Sequence, residues 1–561
     1  MSPHTIVASP LLVALATAVL TLLTRPSDRL QRAVSLLGAV AYLGVVAALF
    51  RAVVLPFGTP PPTLVYRVSD WAPPFGITLV ADPLSAFMLG FASLVSLCAV
   101  VYAVRSVDGF GQRLSYHPLY HFMMVGVSGA FLTGDVFNLF VWFEVMLMSS
   151  YVLVLFYGGA SQTRAALNYV LLNLLGSAVM LVAIGGLYAT TGTLNMADLA
   201  RRLADPAAYG VSVLPVLGLS AVLFSVFALK AGLVPFQFWV PAAYRAAPTP
   251  VTAMLAGVVK KVGIYAVVRL YFTVFSAAAL PASLSLPGFS GASTLAYFGP
   301  ILFLMASASI VFGGVGAVSR TDLDDVLAYS SISQVGFIAL PLAVAATVPA
   351  VRTLGVLAAL VYAFNHGLSK SLLFLASGTL DSAVGSTAFD DLGGVARRAP
   401  VLAAAFLVGA LALIGVPPLS GFFGKFLVFD VGARATATGA AGGALTLGVA
   451  LLGAILTIAY YTRAWNAVFW GTATATVRDA FGDRTAPTDS DSPADAGHAA
   501  DGGRQTRALA VRMVVVVSLA VAIVAFGVGF EAVYASAHAA AQAAVDTGHY
   551  VDAVAPAEVV K

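Results

Sequence analysis

Apolar residues along this chain follow neither the alternation of a strand nor the one-sided stripe of a surface helix. They come in continuous runs of roughly 17–25 residues, the length that spans a bilayer's hydrocarbon core. Fourteen such runs lie near residues 6–23, 31–54, 82–104, 117–134, 136–157, 165–190, 212–235, 250–274, 298–316, 323–346, 353–379, 400–429, 444–470 and 509–530. The pattern therefore predicts an all-α polytopic membrane protein with about 14 transmembrane helices. Between the second and third runs, residues 55–81 are rich in Pro and Gly and contain alternating pieces such as TLVYRV, which predict a hairpin-like flap. Residues 472–507, with TAPTDSDSPADAGHAADGG, are too polar to build a core and read as a disordered linker. The chain after 531 is Ala-rich and predicts a short helix outside the membrane. MSPHTIVASP, ahead of the first run, lacks a basic stretch, so that run is expected to be retained as a helix.

Composition narrows the class further. The 561 residues are 60% hydrophobic and 10% charged, which excludes an ordinary soluble domain. The net charge of +4 is a topology signal, not a nucleic-acid signal. Arg25, Arg29, Arg32, Arg105, Arg113, Arg164, Arg245, Arg320, Arg397, Arg398 and Arg463 fall on one side of the predicted layer, and fewer, mainly Arg51, Arg67, Arg201, Arg202, Arg352 and Arg434, on the other. The richer side is expected to be cytoplasmic, which puts both termini outside and residues 472–507 inside. Cys98 is the single cysteine, so the chain holds no internal disulfide and no cysteine-ligated cluster of its own. There is no GxxxxGK[ST] loop for nucleotide phosphates, and no cofactor or metal is expected. His117 and His121 in HPLYHF are spaced to share a helix face, but Pro118 and their place at the membrane interface favour a structural role.

The lysines are the unusual feature. Of six, Lys230, Lys260, Lys261, Lys370 and Lys425 lie inside apolar runs, while the 23 arginines lie almost entirely in loops or at run ends. An ammonium at the bilayer centre is penalised by at least ~2.5–3.5 kcal/mol, so each buried lysine marks a candidate functional site. Arginine keeps its proton under any realistic condition, whereas a desolvated lysine can load and release one. Of three glutamates only Glu144 lies inside an apolar run. His366 and Lys370 in FNHGLSKSLLFLASG share a helix face and read as a relay pair. Asp322, Asp324 and Asp325 precede a helix and read as structural, placed for capping and dipole complementarity.

Two lysine-bearing runs are broken by Pro and Gly, one around Lys230, Pro235 and Pro241, the other around Pro417, Pro418, Gly421, Gly424 and Lys425. Broken helices are tolerated at membrane depth only where protein or water satisfies the freed backbone groups. Their spacing suggests an internal repeat of runs 4–8 and 9–13, and five crossings per unit turn the second copy upside down. The expected organisation is an N-terminal three-helix segment (1–115), a first five-helix repeat (116–275), an inverted second repeat (298–470), a polar cytoplasmic linker (472–507), and a last transmembrane helix with an external tail (508–561).

GDVFNLFVWFEVMLMSSYVLV, LKAGLVPFQFWVPAAYRAAPTPVTAML, KKVGIYAVVRLY, AYSSISQVGF, FNHGLSKSLLFLASG and GVPPLSGFFGKF, in this order over about 116–470, resemble the antiporter-like subunits shared by Mrp-type multisubunit cation/proton antiporters, respiratory complex I and membrane-bound hydrogenases. WVPAAY resembles the D-type branch of the Mrp subunits; complex I relatives more often have an acidic residue where Ala242 stands, and commonly a histidine where Gln334 stands. The resemblance implies that Glu144 pairs with the broken-helix Lys230, that Lys261 is the eighth-helix relay lysine, and that Lys370 and Lys425 continue a polar axis, with His366 beside Lys370. Lys260 points about 100° away from Lys261 on a regular helix and is expected to face away from the path. The implied function is that of a proton-translocating subunit of a multisubunit Na+ (or K+)/H+ antiporter in a prokaryotic cell membrane, working with other subunits. A proton-pumping subunit of a complex I-like or hydrogenase redox complex remains open. So does an inert membrane scaffold, which leaves five buried lysines without a purpose.

Overall fold

The computed structural model describes residues 5–55, 62–281, 284, 293–482 and 496–556. The membrane helices up to the first break are α1 (Thr5–Leu23), α2 (Asp28–Val53), α3 (Pro83–Ser106), α4 (Tyr116–Leu132), α5 (Val136–Val154), α6 (Ala160–Thr191) and α7 (Val213–Ala231). After the break come α8 (Trp239–Ala246), α9 (Thr249–Ala277), α10 (Leu295–Ser319), α11 (Leu323–Thr347) and α12 (Arg352–Val384). The remainder are α13 (Pro400–Ile414), α14 (Ser420–Ala437), α15 (Ala441–Val468), α16 (Ala496–Val528), α17 (Phe530–Val545) and α18 (Thr547–Val554). Among the described residues, twelve helices are long and apolar enough to cross a membrane. Two predicted spans fall outside that number for visible reasons: α4 has only 17 residues, and the span at 400–429 is divided into α13 and α14.

The flap is a hairpin, with Leu64–Arg67 antiparallel to Thr78–Ala81. The linker differs from the expectation of disorder. Ala475–Phe481 is a helix capped by Thr474, and residues 496–507 are helical and run into α16; residues 483–495 lie outside the described residues.

A pair of backbone brackets reveals the repeat. At the start of α5, Val136 N–H donates to the Leu194 carbonyl at 2.9 Å and Met196 N–H donates to the Gly134 carbonyl at 2.8 Å. At the start of α11, Leu323 N–H donates to Thr387 at 2.9 Å and Phe389 N–H donates to Thr321 at 2.9 Å, the same pattern. Each bracket flanks an aspartate that caps its helix, Asp135 accepting from Asn138 N–H at 2.8 Å and Asp322 from Asp325 N–H at 3.1 Å. Five spanning segments, α5, α6, α7 with α8, α9 and α10, separate the two brackets. An odd number of crossings puts them on opposite faces, so the second half is inverted relative to the first.

The two breaks also match. α7 ends at Gly232 (φ +71°), whose N–H donates to Leu229 while Leu233 N–H reaches back to Ala228. α13 ends at Gly415 (φ +93°), and both its N–H and that of Val416 donate to Leu411. A left-handed residue is needed to end a helix this way, and glycine adopts it without the Cβ clash. Exposed backbone groups at the first break are covered: Trp239 Nε1–H donates to Leu229 O at 2.9 Å, and Val234 N–H donates to Ser309 Oγ on α10 at 2.9 Å.

Three stretches form the centre. Every residue from Pro250 to Phe275 of α9, from Ser330 to Ala346 of α11 and from Gly355 to Leu380 of α12 is buried. Helices apolar all round pack in the middle of an assembly, and the polar residues on these three have no lipid or water face to turn to. Arg269 in α9 breaks the rule that arginines lie in loops. It pairs with Asp82 at 2.7 Å, with both side chains nearly inaccessible, and Tyr550 of the C-terminal α18 lies over its guanidinium at 4.9 Å.

Candidate functional site

In the first half, Lys230 and Glu144 face each other across α6 without a direct ion pair. Lys230 Nζ donates to Ser177 Oγ at 3.0 Å and to the Asn173 carbonyl at 3.2 Å. The Ser177 hydroxyl in turn donates to Glu144 Oε1. Trp142 and Met146 turn toward α4, where Gly129 and Gly126 admit them closely, and Glu144, two residues from each, points the other way. The Phe143 ring lies 5.9 Å from the Lys230 ammonium and supplies its negative face.

The adjacent lysines of α9 take different partners. Lys260 Nζ donates to Ser331 of α11, at 3.2 Å to the carbonyl and 3.4 Å to the hydroxyl. It also sits beside the first break, where a carbon added to Gly232 would be 3.7 Å from it. Lys261 Nζ bonds back to Ala256 O within its own helix. The π-helical turn Leu255–Val259 loosens the usual backbone ladder there. Both lysines are fully buried, and they point to different partners, Lys260 to α11 and Lys261 back into its own helix.

In the second half, Lys370 Nζ donates to Ser330 Oγ at 2.5 Å, Leu327 O at 2.8 Å and Tyr461 Oη at 3.3 Å. Ser330 and Ser331 are consecutive, so Lys260 from one half and Lys370 from the other meet neighbouring residues of α11. One turn from Lys370, His366 is fully buried, and neither ring nitrogen bonds a protein group among the described residues. Gln334 accepts from the Tyr362 hydroxyl and donates to Tyr460 Oη at 2.7 Å and Thr457 Oγ1 at 3.1 Å. Tyr362 stacks on Phe337, whose ring lies 5.0 Å from Lys425 Nζ. Lys425 donates to Ile414 O at 3.0 Å, a carbonyl freed by the second break. His117 and His121 stand apart from these groups, both bonded to Ser35 Oγ, at 2.9 and 2.8 Å.

The polar groups therefore form three sets: Glu144, Ser177 and Lys230 at the first break; Lys260, the Ser330–Ser331 pair, Lys370 and the tyrosine–glutamine cluster where the halves meet; and Lys425 at the second break, beside the Phe337 ring. Of the three aspartates at the start of α11, Asp322 caps the helix, while in its first turn Asp325 bonds Arg245 at 2.8 Å and Asp324 accepts from Ser377 at 2.6 Å. Ser177 and Asn173 were not singled out in the sequence, although their i, i+4 spacing inside an apolar run is a usable signal. Ser330, Ser331, Tyr461 and the Arg269–Asp82 pair also escaped notice.

The brackets make positions comparable. Glu144 follows Val136 by the same 8 residues that separate Ser331 from Leu323, and Ser177 precedes Leu194 by the same 17 that separate Lys370 from Thr387. Where one half has a carboxylate and a hydroxyl, the other has a hydroxyl and an ammonium.

Two inverted sets of membrane helices, each broken and joined through buried ammonium groups, define the class of ion-translocating polytopic proteins built from inverted repeats. Residues 133–447 match the family described as NADH:quinone oxidoreductase/Mrp antiporter, TM, and the chain belongs to that family. It is 38% identical to the D-type subunit of the Na(+)/H(+) antiporter of Alkalihalophilus pseudofirmus over 363 residues, 64% of this chain and 68% of that one. It is also 36% identical to the N-type subunit of the NADH-quinone oxidoreductase of Desulforudis audaxviator over 426 residues, 76% of this chain and 79% of that one. Among solved structures, a chain of the Mrp complex from Dietzia sp. DQ12-45-1b superposes with a TM-score of 0.81 and 27% identity, covering 99% of this chain and 100% of that chain.

Proposed function

We propose that the chain is the D-type, proton-translocating subunit of a multisubunit Na+ (or K+)/H+ antiporter in a prokaryotic cell membrane. The observation that carries this reading is the series of buried ammonium, hydroxyl and carboxylate groups in both halves, in a chain related to a D-type antiporter subunit. Glu144 and Lys230 form one end, Lys260, Lys261, His366 and Lys370 the middle, and Lys425 the other end. Approach of Glu144 to Lys230 stabilises both ionised forms, and separation releases a proton to the next group. The subunit transports ions instead of making or breaking covalent bonds in a metabolite, and it works with other subunits of the complex. The arginine asymmetry supports a cytoplasmic 472–507 segment and external termini. A cysteine at position 490 in a chain lacking Cys98 is then labelled only from the cytoplasmic side, and labelling from outside overturns the orientation.

The match to the N-type oxidoreductase subunit favours a second reading, a proton-pumping subunit of a redox complex. Purifying the intact complex and measuring proton flux in vesicles separates the two. Flux driven by a sodium or potassium gradient supports the antiporter. Flux that requires an electron donor, with iron–sulfur subunits copurifying, replaces it.

A further inference from the structure

At the first break the three polar side chains stand in a line, with a hydroxyl in the middle. Ser177 is buried on α6, accepts from the Lys230 ammonium at 3.0 Å and donates its own proton to Glu144 Oε1. A serine hydroxyl has one proton and two acceptor lone pairs, so accepting from one side while donating to the other gives it a direction. The second Lys230 bond ends on the Asn173 carbonyl, which has no proton to pass on. The direct Glu144–Lys230 contact expected from the motifs is replaced by a relay geometry.

We infer that Ser177 is the group through which a proton passes between Lys230 and Glu144. In this step an N–H bond of the ammonium breaks as an O–H bond forms on Ser177 Oγ, and the original Ser177 O–H bond breaks as one forms on Glu144 Oε1. Lys230 is left as a neutral amine, Glu144 as a carboxylic acid and Ser177 as a hydroxyl again. Total charge is unchanged and no free ion crosses the gap. The opposite step recharges both partners. In the second half the position matching Ser177 is Lys370, bonded to the Ser330 hydroxyl at 2.5 Å. The same point of the frame is polar and in contact with the buried polar groups in both halves.

The inference rests on Lys230 being an exchanging group. Ser177→Thr, Ser177→Val and Ser177→Ala are compared with Lys230→Arg in everted vesicles, as cation-dependent dissipation of a pH gradient normalised to assembled complex on a native gel. Thr and Val add the same bulk, and only Thr keeps a hydroxyl. Ser177→Thr is expected to retain most exchange, while Val and Ala lose about 10²-fold, the scale of a positioned proton-transfer group. Equal rates for Thr and Val, or a normal rate for Ala, would overturn the relay and assign Ser177 to packing. A silent Lys230→Arg beside an active Ser177→Ala removes only the relay. An active Lys230→Arg removes the reading beneath it.

Discussion

Eight residues into its bracketed helix the first half has Glu144, and the second half has Ser331. Seventeen residues before the carbonyl that accepts the first bond of its bracket, Leu194 or Thr387, the first half has Ser177, and the second half has Lys370. The frames agree down to individual main-chain hydrogen bonds, and both breaks end on a left-handed glycine. The chemistry mounted on them does not repeat. The first half places a carboxylate against a lysine through a hydroxyl, whereas among the described residues the second offers its lysines hydroxyls, carbonyls and aromatic rings. What is preserved is the means of holding polar groups at membrane depth, and what varies is the sign of the charge they hold. Under the proposed function the lone carboxylate makes the first half the place where opposite charges can approach and separate, and the second half a set of stations.

The largest expected effect comes from removing that asymmetry's cation without removing its charge. Lys230→Arg should assemble normally yet lower exchange by about 10²-fold or more, because a guanidinium does not release its proton. Normal exchange in an assembled Lys230→Arg complex would refute the relay role. Glu144→Gln should follow closely, measured the same way; if the pair were only structural, Lys230→Arg would be tolerated and Glu144→Gln would fail through lost assembly, since it leaves a buried charge unpaired. The bonds between the halves come next. Lys260→Ala should lower exchange about tenfold, below the loss at a group held in direct charge exchange, and an unchanged rate would put Lys260 off the path. Smallest are the two helix endings. Gly232→Ala and Gly415→Ala should each cost about 1–2 kcal/mol for a left-handed alanine, read as a lower melting temperature of the purified complex. Loss at only one of them would show that the breaks are not equivalent.

Much of this was legible in the residue order. Runs of apolar residues located the helices, and Pro235, Pro417 and Pro418 located both interruptions. The lysines stood out because mid-membrane charge is rare. The brackets were invisible because they join main-chain groups some 60 residues apart, and main-chain bonds leave no side-chain signature. Ser177 was hidden for a related reason. A serine within a helix usually bonds its own backbone, so its residue type alone did not set it apart. The expectation for Lys260 assumed a regular helix carrying one face toward the path. Both lysines lie in the regular helix after the π turn and do take different partners, but burial of α9 on every side means that the second direction also meets protein, at Ser331.

Arg269 is synthesised long before its environment is complete. Asp82 is already available to it, but the ring of Tyr550 and the bond from Thr273 Oγ1 to the Ala544 carbonyl at 2.7 Å arrive only with α17 and α18. Helices α17 and α18 therefore close over an ion pair built from the third and eighth apolar runs, so the cover of a buried charge is supplied from a stretch far along the chain from either partner.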